Sequence, residues 1–194
     1  MNFPRRTFLQ SAASLVPAVA LHDLIPNSAL AQAPAPTVTA PEVHPVPAGD
    51  DRTGHLHSLG FSSMAFKVLS SDAGGNLIVI EHRGLQPGTG PALHLHYSQD
   101  EWFYVMEGEV VFQVGEQRPH LSSGDSVLAP RRIPHTFSAV GGPAHMLIAF
   151  TPADKMEQYF IDACAQPKLA ATEDFINRYD MKWLGPSPFW KDSV

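Results

Sequence analysis

The sequence predicts an all-β fold, a small β-barrel or jelly roll carrying C-terminal helices, and three observations support this. Between about Gly60 and Thr151 the chain is a succession of short apolar runs. The runs are cut by "GG", "EG", "VGEQ", "SSGD" and "GGP", residues that favour hairpins and turns. After Phe150 the apolar period changes from that of a strand to that of a helix. Strands this numerous and short suit a sandwich or a small barrel.

Taken in chain order, the first segment has the layout of an export leader. Arg5 and Arg6 form a basic head, Phe8 and Leu9 follow, and a weakly apolar run rich in Ala, Leu and Val comes next. "RRTFLQ" resembles the twin-arginine signal, with Gln10 where a lysine is common. Pro17, His22, Asp23 and Pro26 interrupt the run, and a stable transmembrane span needs about 20 mostly apolar residues. Residues 1–31 are therefore expected to be cleaved after Ala31, with no membrane anchor retained, and the mature chain to be periplasmic or secreted after export by the twin-arginine machinery. Residues 32–51, mostly Pro, Ala, Thr and Val, are expected to form an extended flexible linker. Residues 52–194 are one domain's worth of chain.

Within the domain the expected strands are "MAFKVLS", "LIVIEHR", "ALHLH", "EWFYVM", "EVVFQV", "RPHLS", "SVLAP", "HTFSAV" and "HMLIAF". Met156, Tyr159, Phe160 and Ala163 then repeat at helical spacing; Thr151 is expected to cap this helix, Pro152 to take its first position and Asp154 to favour its positive end. A second helical piece is expected from about Thr172 to Tyr179, and the aromatic tail "LGPSPFW" is expected to pack back on the domain. The helices read as cover for a sheet face, with no chemistry of their own.

The formal net charge is −6, and removal of Arg5, Arg6 and Asp23 makes it one unit more negative. With no block of Lys or Arg, the chain is a poor partner for nucleic acid or anionic lipid. Cys164 is the only cysteine, so no intrachain disulfide can form, and its place in "YFIDACAQ" reads as a small buried apolar residue.

Chemistry concentrates in "HLHYSQDEW". On a strand His94 and His96 share one face, with Leu93 and Leu95 on the other. "YSQD" reads as a turn, after which Glu101 opens the next strand and re-enters the same space. A buried carboxylate beside two imidazoles most simply implies a cation between them. "GDSVLAPRRIPHTF" offers a third imidazole at His135. The mixed nitrogen and oxygen set, without thiolates, argues against a structural zinc site and suits a divalent first-row metal.

This pattern resembles the cupins. The first cupin motif is a glycine, five residues, His-x-His, three or four residues, Glu, six residues and a glycine; "GTGPALHLHYSQDEWFYVMEG" satisfies it from Gly88 to Gly108. The second motif is a glycine, five residues, Pro-x-Gly, two residues, His, three residues and Asn. Gly124, Pro130 and His135 match it, whereas Arg132 takes the second glycine position and Ala139 the asparagine position. These departures put the local backbone and the access loop in question, since Arg132 is long enough to reach over a cavity mouth. The resemblance implies a metal held by His94, His96, Glu101 and His135: manganese, iron, nickel or copper, with zinc less suited. His82, His120 and His145 are expected to be hydrogen-bonded or exposed, and His44, His55 and His57 lie in or near the linker.

Phe103, Val105, Phe112, Phe137, Met146 and Ile148 are the expected cavity walls, which suit an aromatic or aliphatic small molecule better than a phosphorylated sugar. Similarity to single-domain cupins near the quercetin dioxygenases implies a metal-dependent dioxygenase, in which Glu101 also acts catalytically by accepting a substrate hydroxyl proton. Two alternatives stand beside it. One is an exported, non-catalytic metal- or small-ligand-binding module, loaded with manganese or iron before folded export. The other is an isomerase or decarboxylase, although no acidic lid motif for oxalate decarboxylation is found. Cupins often dimerise by strand exchange, and nothing in the sequence opposes a homodimer.

Overall fold

The computed structural model describes residues 43–190. The leader expected at 1–31 and the first part of the linker lie outside the described residues. The described end of the linker is tied to the sheet. Lys67 Nζ donates to the carbonyls of Pro47 and Asp50, and the buried Asp51 carboxylate accepts the Phe66 N–H at 2.6 Å.

Among the described residues nine strands form one antiparallel system: β1 (His57–Ser58), β2 (Ser63–Val68), β3 (Ile78–Leu85), β4 (Leu93–His96), β5 (Asp100–Val114), β6 (His120–Ser122), β7 (Ser126–Ala129), β8 (His135–Thr151) and β9 (Met181–Gly185). The main path runs β1-β2-β3-β8-β4-β9, while β5 pairs with β6, β7 and β8. Among the described residues this path does not close on itself, so the architecture is a jelly roll and not a closed barrel.

Two elements are longer than the turn signals suggest. The runs "EWFYVM" and "EVVFQV" are one strand, β5, and "HTFSAV" and "HMLIAF" are one strand, β8. "EG" and "GGP" are therefore bends inside paired strands and not hairpin ends. The register of β5 on β8 shifts between Val105 and Glu109, where Gly108 has φ 80° and a Cβ would stand 2.9 Å from the Pro143 carbonyl oxygen. Lacking a side chain, Gly108 lets the bulged strand cross its partner at close range.

The core is aromatic. Phe103, Phe112 and Phe137 pack with ring centroids 5.0, 5.3 and 5.8 Å apart, and burial of each such ring stabilises the fold by roughly 1.5–3 kcal/mol. Helix α1 (Met156–Ala165) buries Met156, Phe160 and Ala163, the face the spacing predicts. Its start differs from expectation. Thr151 is still in β8, Asp154 has φ 41°, and Lys155 flanks the helix without a side-chain cap. The Ala153 N–H instead bonds the Gly75 carbonyl, which turns the chain before the helix begins. The second helix, α2 (Glu173–Ile176), is shorter than the expected span. Strand β9 follows it and was not apparent in the sequence, because "MKWLG" is short and carries a lysine among its apolar residues.

Candidate metal centre

Strand alternation brings His94 and His96 to one buried face of β4. β9 covers one edge of β4, and the other edge meets β8, where His94 pairs in register with His135. The "YSQD" turn then returns the chain so that Glu101, the second residue of β5, faces the same interior. Asp100 and Arg131 hold this turn against the next one: the Asp100 carboxylate accepts the Arg131 backbone N–H at 2.8 Å and its guanidinium at 2.7 and 3.1 Å. Those bonds hold the Asp100 carboxyl down at about 2. The Arg132 N–H donates to the His96 carbonyl at 2.6 Å. The strand ends bearing the four side chains are thus tied together through the backbone.

At Arg132 the backbone has φ 66°, the left-handed conformation that explains why the family pattern has glycine there. Arg132 is exposed and does not line the cavity described below. Ala139, at the asparagine position, is buried in β8 opposite Val110.

The potential ligand atoms of His94, His96, Glu101 and His135 all lie within 4.8 Å of one another, and all four residues are buried. Among the described residues this is the one group of three or more His, Cys, Asp or Glu side chains that converges in this way. His94 Nδ1 lies 2.8 Å from the Ala92 carbonyl oxygen and His135 Nδ1 lies 2.9 Å from that of Ile133. Each carbonyl fixes its ring so that Nε2 is the free ligand atom, the outer support that metal-bound imidazoles ordinarily have. His135 Nε2 is 2.7 Å and His96 Nε2 3.2 Å from the same Glu101 oxygen. Both His96 nitrogens are buried; Nδ1 has no hydrogen-bond partner, and Nε2 meets the Glu101 oxygen only as a close ion-pair contact outside hydrogen-bond geometry. Burial pushes His94 down to about 3, so its ring is neutral at ordinary pH. Burial would raise the Glu101 carboxyl, but His135 and His96 hold it well below the usual carboxylate range. Three converging imidazoles, a carboxylate held ionised and a buried His96 ring without a well-aligned partner fit a divalent first-row cation.

His94, His96 and Glu101 open onto a cavity of about 580 Å³. Its walls differ from those expected. Of the six predicted positions only Ile148 lines it; Phe103, Val105, Phe112, Phe137 and Met146 are closed core. The Phe103 ring lies 6.3 Å from that of His135, so the aromatic plug fills the space on that side. The cavity extends toward α1 instead, which supplies Met156, Tyr159 and Phe160, and toward the tail, which supplies Trp190. The helices read as inert cover therefore build part of the binding wall. No Lys or Arg is among the lining residues.

The other histidines are placed apart from the cluster. His120 is exposed, 3.3 Å from Glu109, and His145 Nε2 is 2.6 Å from Glu81. His57 pairs with Met64 in β1. His82 is buried in the cavity wall with Nδ1 3.3 Å from Ser62 Oγ. Burial pushes the Cys164 thiol up to about 11, as suits an inert side chain.

Residues 82–150 match the family model described as the cupin domain, and this span contains all four clustered side chains. Over that span the chain is similar to the cupin domain. Among curated proteins it is similar to the HTH-type transcriptional regulator PuuR of Escherichia coli, 28% identical over 98 residues that make up 50% of this chain and 53% of the regulator. It thus spans about half the length of that relative. Among solved structures, an RmlC-like cupin from Shewanella frigidimarina superposes with a TM-score of 0.47 at 19% identity, covering 53% of this chain and 87% of the other. KdgF from Halomonas sp. superposes with a TM-score of 0.46 at 18% identity, covering 52% of this chain and 87% of the other.

Proposed function

We propose that this chain is a metal-dependent dioxygenase for a small aromatic or enolic substrate. The observation that carries the proposal is the junction of a buried three-histidine, one-glutamate cluster with an apolar cavity of about 580 Å³ that has no cationic lining residue. Three neutral imidazoles and one carboxylate would leave a divalent ion with a net charge of about +1, suited to an anionic enolate oxygen. A redox-active ion held by His94, His96, Glu101 and His135 would supply electron transfer between an enolate substrate and dioxygen.

The protein's own residues do the rest. His94 and His135 are held in fixed orientation by their backbone carbonyl partners. Glu101 borders the cavity, and in this reading it accepts the substrate hydroxyl proton. Phe150, Phe160 and Met181 line the cavity and would shield a bound substrate from water. The pattern "RRTFLQ" supports export by the twin-arginine route, and folded export allows the metal to be loaded before the protein reaches the periplasm or the medium.

A second reading is favoured by the likeness to PuuR, which is described as a transcriptional regulator: a cupin that binds a metal or small ligand without turnover. Elemental analysis of the mature protein beside His94→Ala, followed by oxygen-electrode measurements with flavonols, separates the two. One equivalent of manganese, iron, nickel or copper, lost in the variant, together with oxygen uptake, supports the dioxygenase. Stoichiometric metal without uptake leaves the binding module.

A further inference from the structure

Besides the cluster the cavity wall carries the polar side chains of Thr89, Tyr159, Trp190 and His82, and two of these are bonded to backbone carbonyls. The Thr89 hydroxyl donates to the Gln86 carbonyl at 2.6 Å, and the Trp190 indole N–H donates to the Gly90 carbonyl at 3.1 Å. His82 differs. Its Nδ1 is engaged by Ser62 Oγ at 3.3 Å, but its Nε2 is buried with no hydrogen-bond partner. The ring is held edge-to-face by Phe137 and Phe160, with centroids 6.5 and 6.2 Å away, so Nε2 cannot readily turn toward another acceptor or donor.

Buried polar atoms in native proteins nearly always have a partner, and an exception calls for one that arrives later. A resident water would need at least about two polar neighbours of its own, and the rings packed against His82, Phe137 and Phe160, offer none.

We propose that His82 orients the ligand: its Nε2 hydrogen-bonds a second oxygen function on a flat, apolar molecule whose first oxygen lies at the His/Glu cluster. This rests on reading the cluster and cavity as a substrate site, and it narrows the substrate class to molecules with at least two separated hydroxyl or carbonyl groups. His82 is a positioning residue and takes no part in holding the metal.

The test is equilibrium binding of two flavonols, 3-hydroxyflavone and quercetin, to zinc-loaded protein without oxygen, read by ligand fluorescence and absorbance. The wild-type protein is expected to bind quercetin about tenfold more tightly than 3-hydroxyflavone, the size of one hydrogen bond made in an apolar site. His82→Phe is expected to lose that preference while keeping its 3-hydroxyflavone affinity and one equivalent of metal. His82→Gln is expected to restore part of it, and His82→Leu gives the same reading should the larger ring prevent folding. An unchanged preference in these variants, or a preference lost in Tyr159→Phe and kept in His82→Phe, overturns the assignment and leaves the substrate reading intact. Loss of metal from His82→Phe also overturns it. If the wild-type protein binds neither flavonol, both the assignment and the substrate reading fail.

Discussion

Glu101 is the residue on which the site turns, because one of its oxygens meets two imidazole nitrogens, at 2.7 Å from His135 and 3.2 Å from His96. An amide in its place keeps the shape but loses the negative charge and the capacity to accept a proton. Glu101→Gln is expected to lower oxygen uptake with an active flavonol by at least about 100-fold, the range that loss of a positioned general base produces. A variant that retains one equivalent of metal and reacts at the wild-type rate would end the proton-acceptor role. The cluster residues were all named from the sequence: period-two alternation puts His94 and His96 on one face, and the resemblance to the cupin motifs implied that Glu101 and His135 join them. His82 was not legible as a cavity residue. Its significance depends on the Ser62 hydroxyl, Phe137 and Phe160, which come from three other parts of the chain.

The strand ends and turns determine whether those four side chains stay converged. Asp100 binds both the backbone and the guanidinium of Arg131, so it ties the start of β5 to the turn that leads into His135. Asp100→Ala is expected to weaken metal affinity by roughly 10-fold to 100-fold, as loss of outer support for metal ligands does. Metal titration with a competing chelator would read this. An unaltered affinity would mean that the turn keeps its shape without the pair. Gly90 marks a second close approach: it has φ 129°, and a Cβ there would lie 2.1 Å from the Phe137 carbonyl oxygen. Gly90→Ala is expected to cost about 3 kcal/mol or more of stability in urea denaturation, because the strand bearing Phe137 must move or the loop must detach. A loss under about 1 kcal/mol would show that the loop relaxes freely.

At the scale of the whole molecule, folding is expected to be linked to both metal and protons. A cation that binds only the folded chain stabilises it by about 2.7 kcal/mol at 100 times its dissociation constant. The thermal midpoint should therefore rise with added manganese and fall on chelation, and His96→Ala should show no such dependence. Glu81 reports on protons away from the cluster. Burial would raise its carboxyl, but Arg83, Lys67 and His145 hold it down from the usual 4.5 to about 2. A carboxyl lowered by folding contributes stability that is whole above about 4.5 and is lost as the pH falls toward about 2. Between those limits the wild-type protein should lose stability more steeply with acid than Glu81→Gln. Parallel curves would show that the ion pairs across β2, β3 and β8 add nothing in water.

The sequence by itself determined the all-β class, the strand that presents two histidines to one face and the buried face of α1, while the convergence of His94, His96, Glu101 and His135 was implied by the resemblance to the cupin motifs. The first three are set by periodicity within a short window, where the backbone's own geometry dictates which side chains share a face; His135 reaches the other three by the pairing of β8 with β4. Only the tertiary structure decided that "EG" and "GGP" bend two long strands instead of ending them, that "MKWLG" pairs with β4, and that the aromatic plug of Phe103, Phe112 and Phe137 displaces the cavity toward α1 and the tail. The reason is physical: a glycine permits a bend or a hairpin equally well. Which of them forms, and which apolar faces meet, is settled by contacts between residues far apart in the chain.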